Sequence, residues 1–306
     1  MQQSTASTSY QDYVKRAALL AIVVSGLLIV VKGVAWWHTG SVAILAAMTD
    51  SLVDFFASFT NILVLRFALQ PADKNHYFGH GKAESLAALA QSAFITGSAA
   101  FLLLQGIQRL ANPVVIENNG FGVLVSAIAI VLTFLLLLYQ RSVIRLTQSP
   151  AIQADALHYQ TDLLMNAAIL IAMLLNSYGF IYADALFAIG IALYIFVNAA
   201  KMFWDAVQTL LDHALPEADI AQIIQLAESQ AQVLGVHDIG TRQVGNIKFI
   251  QLHLELQDEL PLIEAHAIAD AVEQQILSAF PTAQIVIHQE PHSVVEKERN
   301  EHKGGH

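Results

Sequence analysis

Six long apolar runs, separated by short polar stretches, fill the first two thirds of the chain. They cover roughly residues 14–37, 40–66, 83–110, 119–141, 151–177 and 182–206. Each is long enough to cross a hydrocarbon core of about 30 Å as a helix rising about 1.5 Å per residue. The fourth, from Phe121 to Tyr139, is almost pure hydrocarbon and is expected to face lipid. The third is rich in small residues (Ala87, Ala88, Ala90, Gly97, Ser98, Ala99, Ala100), which suits close helix packing. After Lys201 the pattern changes. Asp212 to Pro216 reads as a linker, and 217–234 has helical periodicity. Next, 237–244 and 247–256 read as strands joined at Gly245-Asn246, a two-residue hairpin signal. In the second strand Leu252, Leu254 and Leu256 alternate with Gln251, His253 and Glu255, so one face is apolar and the other polar. A helix from Pro261 to about Phe280 and a strand over 284–288 complete an α-β-β-α-β order, which implies a small two-layer domain over 217–292. Residues 1–13 and 293–306 are polar and are expected to be disordered.

Composition agrees with a polytopic membrane protein. Of 306 residues, 55% are hydrophobic and 13% charged. The first run follows Lys15-Arg16 without a small-residue cleavage site, so it reads as a retained helix. Lys15, Arg16, Arg66, Lys74, Lys82, Arg141, Arg145 and Lys201 flank the runs on one side, and only Arg109 on the other. The positive-inside rule then places both termini in the cytoplasm. From Leu211 onward there are 15 acidic and 5 basic residues, whereas residues 1–210 are neutral overall. An acidic, water-exposed C-terminal third makes nucleic acid an unsuitable partner. The chain has no cysteine, so a metal site must use Asp, Glu, His or backbone oxygen.

Two polar pairs interrupt the apolar runs. Asp50 and Asp54 lie in the second, and His158 and Asp162 in the fifth, both at four-residue spacing. Such pairs share one helix face, and ionised carboxylates in a membrane mark a functional site by default. A rise of about 1.5 Å per residue puts Asp50 level with Asp162, and Asp54 level with His158, when the two helices run antiparallel. Three carboxylates and one imidazole then meet near mid-membrane. That set suits tetrahedral Zn²⁺ or a similar divalent ion, and a proton competes with the metal for the imidazole. The other reading is that the four residues satisfy one another by hydrogen bonds.

Asp73, His76 and His80 bring ligand types together in a cytoplasmic loop, although solvated loop residues fit that spacing as well. His237, His253 and His288 fall on or beside the three strands, His266 on the helix expected to pack near them, and Glu290 just beyond. In a chain without cysteine these make a candidate carboxylate–imidazole zinc site.

The chain resembles the cation diffusion facilitators, most closely the bacterial zinc and ferrous-iron efflux pumps. The resemblance covers nearly the whole sequence. It rests most specifically on Asp50-x3-Asp54, on His158-x3-Asp162, and on the stretch Pro71-Ala72-Asp73 through Phe78-Gly79-His80-Gly81-Lys82-Ala83-Glu84. It implies a homodimer in the bacterial inner membrane, with six helices per protomer and a metallochaperone-like cytoplasmic domain. It also implies export of Zn²⁺, and possible use of Cd²⁺ or Fe²⁺, in exchange for protons. By position, Asp50, Asp54, His158 and Asp162 match the family's transport site, and Asp73, His76 and His80 its loop site. His237, His253, His266, His288 and Glu290 match a binuclear site tying two cytoplasmic domains together, with Glu290 standing where close relatives carry Asp. Lys82 and Asp212 match an intersubunit charge lock.

Two readings from other classes compete. An intramembrane aspartyl protease also uses paired carboxylates, but Asp50 and Asp54 share a helix, no Gly-x-Gly-Asp motif is present, and His158 has no role in that chemistry. A metal sensor would work through the cytoplasmic histidines and leave the membrane quartet unexplained.

Overall fold

A computed structural model describes residues 2–40, 42–112 and 120–303. Residue 119 of the fourth apolar run and residues 304–306 of the tail lie outside the described residues. Two compact units divide the chain, one of them Tyr10–Val207 and the other built on Gln208–His306.

The first unit is a helix bundle. Its elements are α1 (Gln2–Thr39), α2 (Val42–Ala68), α3 (Lys82–Ala111), α4 (Gly120–Thr147), α5 (Pro150–Ser177) and α6 (Ala183–Leu210). Five of them are long and apolar enough to cross a membrane. The sixth, α5, matches their length but breaks its apolar run with Asp155, His158, Gln160, Asp162 and Asn166. Those polar residues need protein around them, and α5 packs against α2, α3 and α4. Small residues allow the close approach: Ala88, Ala154 and Ala206 meet where α3, α5 and α6 converge. Ser149 caps α5, its hydroxyl accepting from the Ile152 N–H, with Pro150 at the first helical position.

The N-terminus corrects an expectation. Residues 2–13 are helical and continue into the first span. Tyr10 and Val14 are buried against Ile62 and Leu65 of α2 and Val143 of α4. The Tyr10 hydroxyl also donates to buried Glu84, 3.0 Å away. These contacts anchor the helix, and residues 2–9 contain no Gly or Pro to stop it.

The second unit holds α7 (Glu217–Glu228), β1 (Gly235–Val244), β2 (Ile247–Leu256), α8 (Leu262–Ala279), β3 (Gln284–Pro291) and α9 (His292–Lys303). The sheet order is β1-β2-β3, with β1 antiparallel and β3 parallel to β2. A parallel neighbour needs a crossover, which α8 supplies. Leu252, Leu254 and Leu256 face a core shared with Ile223 and Ala227 of α7 and Ile268, Val272 and Ile276 of α8. The expected α7 helix ends early, at Glu228, where Ser229 caps it and its hydroxyl donates back to the Leu226 carbonyl. The tail is a second correction. α9 docks through buried Val295, while the nearly buried carboxylate of Glu255 takes hydrogen bonds from His292 and Arg299. Those partners lie on a strand some forty residues away, out of reach of any local pattern.

Candidate metal centre

α2 and α5 carry the two polar pairs, and the structure brings three of the four residues to one point. His158 Nε2 lies 2.9 Å from Asp54 Oδ1 and 3.9 Å from Asp162 Oδ2. One ligand atom from each of Asp54, His158 and Asp162 falls within 4.8 Å of the others. Asp50 lines the same cavity, of about 410 Å³, but does not join that cluster. The pairing of Asp54 with His158 follows the depth count. A partial shell of imidazole and carboxylate oxygens beside a cavity suits a borderline divalent cation.

Hydrogen bonds below the cluster hold α5 in place. One turn from His158, the buried carboxylate of Asp155 accepts from Gln140 Nε2 at 2.7 Å and from Ser58 Oγ at 3.4 Å. Ser58 also shares a 2.8 Å hydrogen bond with the Tyr159 hydroxyl. These contacts tie α2, α4 and α5 together directly beneath the ligands. Residue spacing alone did not single out Asp155, although it sits at i−3 from His158 and so on the same face. Lys32 of α1, a charge inside the first apolar run, had no role at this site from its spacing. Its ammonium donates to Ser51 Oγ at 2.6 Å and to the Ala47 carbonyl at 3.0 Å, and it lines the ligand cavity. The available signal was a lone charge inside an apolar run.

The loop residues converge. His76 Nδ1 and His80 Nε2 each lie 3.5 Å from an Asp73 oxygen. Asp73 accepts from the backbone N–H groups of His76 and Asn75, and these hold its carboxyl below the usual carboxylate range. His80 is buried, and its Nδ1 has no hydrogen-bond partner among the described residues.

In the small domain the polar face of the sheet gathers the strand residues. Glu290 accepts from His237 Nε2 at 2.9 Å and lies 3.1 Å from His253 Nδ1 and 3.3 Å from His288 Nε2. Burial works to raise the Glu290 carboxyl, but the His237 hydrogen bond and the neighbouring imidazoles outweigh it and hold the group below its ordinary value. Buried His237 Nδ1 has no hydrogen-bond partner among the described residues, an orphan that a metal would satisfy. This donor set fits a resident zinc, which would cross-link the strands. His266 stands apart from these residues in one chain. α8 packs on the leucine face of the sheet, and His266 lies 3.5 Å from Asp270 on its own helix. Asp212, expected to pair with Lys82 of another subunit, accepts from Arg242 at 3.2 Å within its own domain.

Comparisons with known proteins bear on the whole chain. Residues 18–211 match the family model for the cation efflux transmembrane domain, and residues 215–292 that for the cation efflux protein cytoplasmic domain. The chain is 56% identical over 293 residues to the cation-efflux pump FieF of Yersinia enterocolitica, covering 96% of this chain and 98% of that protein. It is 56% identical over 290 residues to the FieF pump of Escherichia fergusonii, covering 95% and 97%. A solved zinc-form structure of CzrB aligns with 27% of this chain and 94% of its own, at 33% identity and a TM-score of 0.26.

Proposed function

We propose, since this chain belongs to the cation efflux family, that it exports Zn²⁺ from the bacterial cytoplasm in exchange for protons, with Cd²⁺ and Fe²⁺ as further substrates. The observation that carries this reading is the convergence of Asp54, His158 and Asp162 beside a cavity that Asp50 also lines. Metal enters from the cytoplasm and binds these four residues near mid-membrane. The bundle then opens outward, a general solution for transporters with midplane sites. Neutral imidazole binds metal and imidazolium does not, so external protons displace the ion at His158 and the carboxylates. The working unit is a homodimer in the inner membrane with cytoplasmic termini. His237, His253, His288 and Glu290 of one subunit hold structural zinc together with His266 of a second copy. This arrangement gives His266 a role that a single chain does not. Asp73, His76 and His80 form a loop site, and Lys82 pairs with Asp212 across the dimer.

The test is metal-driven proton flux in proteoliposomes. Asp54→Ala should abolish flux while the dimer survives. Undiminished flux would remove the membrane cluster from the transport step.

A further inference from the structure

The cavity holds a cation of the protein's own. Lys32 could carry its ammonium along the helix toward the membrane surface, as lysines near helix ends do. Instead the ammonium is tied to Ser51 Oγ and the Ala47 carbonyl, on the stretch of α2 that carries Asp50 and Asp54. It lines the cavity with both of them and with Asp162. Lys32 is the one lysine or arginine among the described residues of that cavity.

With the three carboxylates ionised, the His158 imidazole neutral and Lys32 protonated, the cavity carries a formal charge of minus two. A divalent cation brings it to zero. A monovalent or trivalent ion leaves one unit uncompensated, which is costly where the dielectric constant is low. We propose that Lys32 sets the valence of the cargo. It is a tethered counter-charge that matches three carboxylates to a divalent ion, and it keeps one of them compensated after the ion has left. This inference rests on the reading of the cavity as the transport site.

The experiment measures Zn²⁺ uptake into proteoliposomes, and its inhibition by Tb³⁺, for wild type, Lys32→Met, Lys32→Arg and Asp54→Ala. Removing a nearby positive charge should lower the KM for Zn²⁺ on the order of tenfold and slow turnover, because the ion is held more tightly. It should strengthen Tb³⁺ inhibition relative to Zn²⁺ by a further factor on the order of ten. Lys32→Arg keeps the charge and should stay near wild type in that ratio. If Lys32→Met does not assemble, Lys32→Gln takes its place. A lysine that only braces α1 against α2 would raise KM or slow turnover in the neutral variant without moving the Tb³⁺-to-Zn²⁺ ratio. That result, or neutral and arginine variants that behave alike, overturns the proposal. Asp54→Ala separates the two layers. If it transports like wild type, the site reading fails and takes the lysine with it. If it is inactive beside an unaltered Lys32→Met, only the role of Lys32 is lost.

Discussion

At the scale of single residues, the imidazole of His158 is the nitrogen donor in a cluster whose other members, Asp54 and Asp162, offer carboxylate oxygens. Its Nε2 sits between Asp54 and Asp162, so exchanging it for oxygen alters the site without dismantling it. Imidazole favours Zn²⁺, whereas all-oxygen shells favour Mn²⁺. His158→Asp should therefore gain Mn²⁺ transport or lose discrimination against it. A panel of metals in proteoliposomes under a pH gradient would show this, and an unchanged profile would remove His158 from selectivity. The residues at this point were largely legible from the sequence. Four-residue spacing and the rise of a helix were enough to match Asp54 with His158. The same count put Asp50 level with Asp162, yet Asp50 does not converge with the other three. Lys32 could not be placed that way. Its position depends on a flexible stem and on where α2 presents Ser51 and a carbonyl, which is a property of two packed helices. The hydrogen bonds of Glu84 are illegible for the same reason, since Tyr10 and Ser149 reach it from distant segments.

At the scale of elements, α3 and α6 pack closely because glycine permits it. A Cβ on Gly106 would lie 2.8 Å from Ile189 Cγ1 and 3.2 Å from the Ile189 backbone nitrogen. The side chain could turn away, but the backbone could not. Nearby, Arg109 pairs with Asp184 at 2.5 Å, linking the same two helices. Gly106→Leu should force the helices apart and lower stability by about 1–3 kcal/mol, as overpacked interiors do. Gly97 is the control on α3, because a Cβ there meets nothing within 4 Å among the described residues. Gly97→Ala should hold or raise the melting temperature in detergent, while Gly106→Leu lowers it. A rise in melting temperature at both positions would mean that helix propensity outweighs packing at Gly106. Long apolar runs located the six spans and the alternation of β2 located its two faces, because both signals are local. The ends were harder to read. Residues 2–13 and 292–303 are polar, and only contacts with distant partners reveal why they are helical.

At the scale of the whole molecule, charge is partitioned. Residues up to 210 are neutral overall, while the remainder carries an excess of ten acidic groups. Self-repulsion in that domain makes any buried carboxylate a liability unless it has partners. Glu290 has three imidazoles around it, and its carboxyl is held below the ordinary value of 4.5. A carboxyl depressed in the folded state binds fewer protons there than in the unfolded chain. Its contribution is therefore fully present above 4.5 and is lost as pH falls through the lower, folded value. Glu290→Gln should melt earlier than wild type in zinc-free protein by a margin that stays level above that point and closes below it. Scanning calorimetry of both proteins across the acidic range would measure the margin. Adding zinc at neutral pH should widen it, since the carboxylate is then a ligand and the amide a poor one. A margin that persists at the acid end would assign Glu290 to shape and hydrogen bonding. A zinc-insensitive margin would count against the metal that the orphaned nitrogen of His237 suggests.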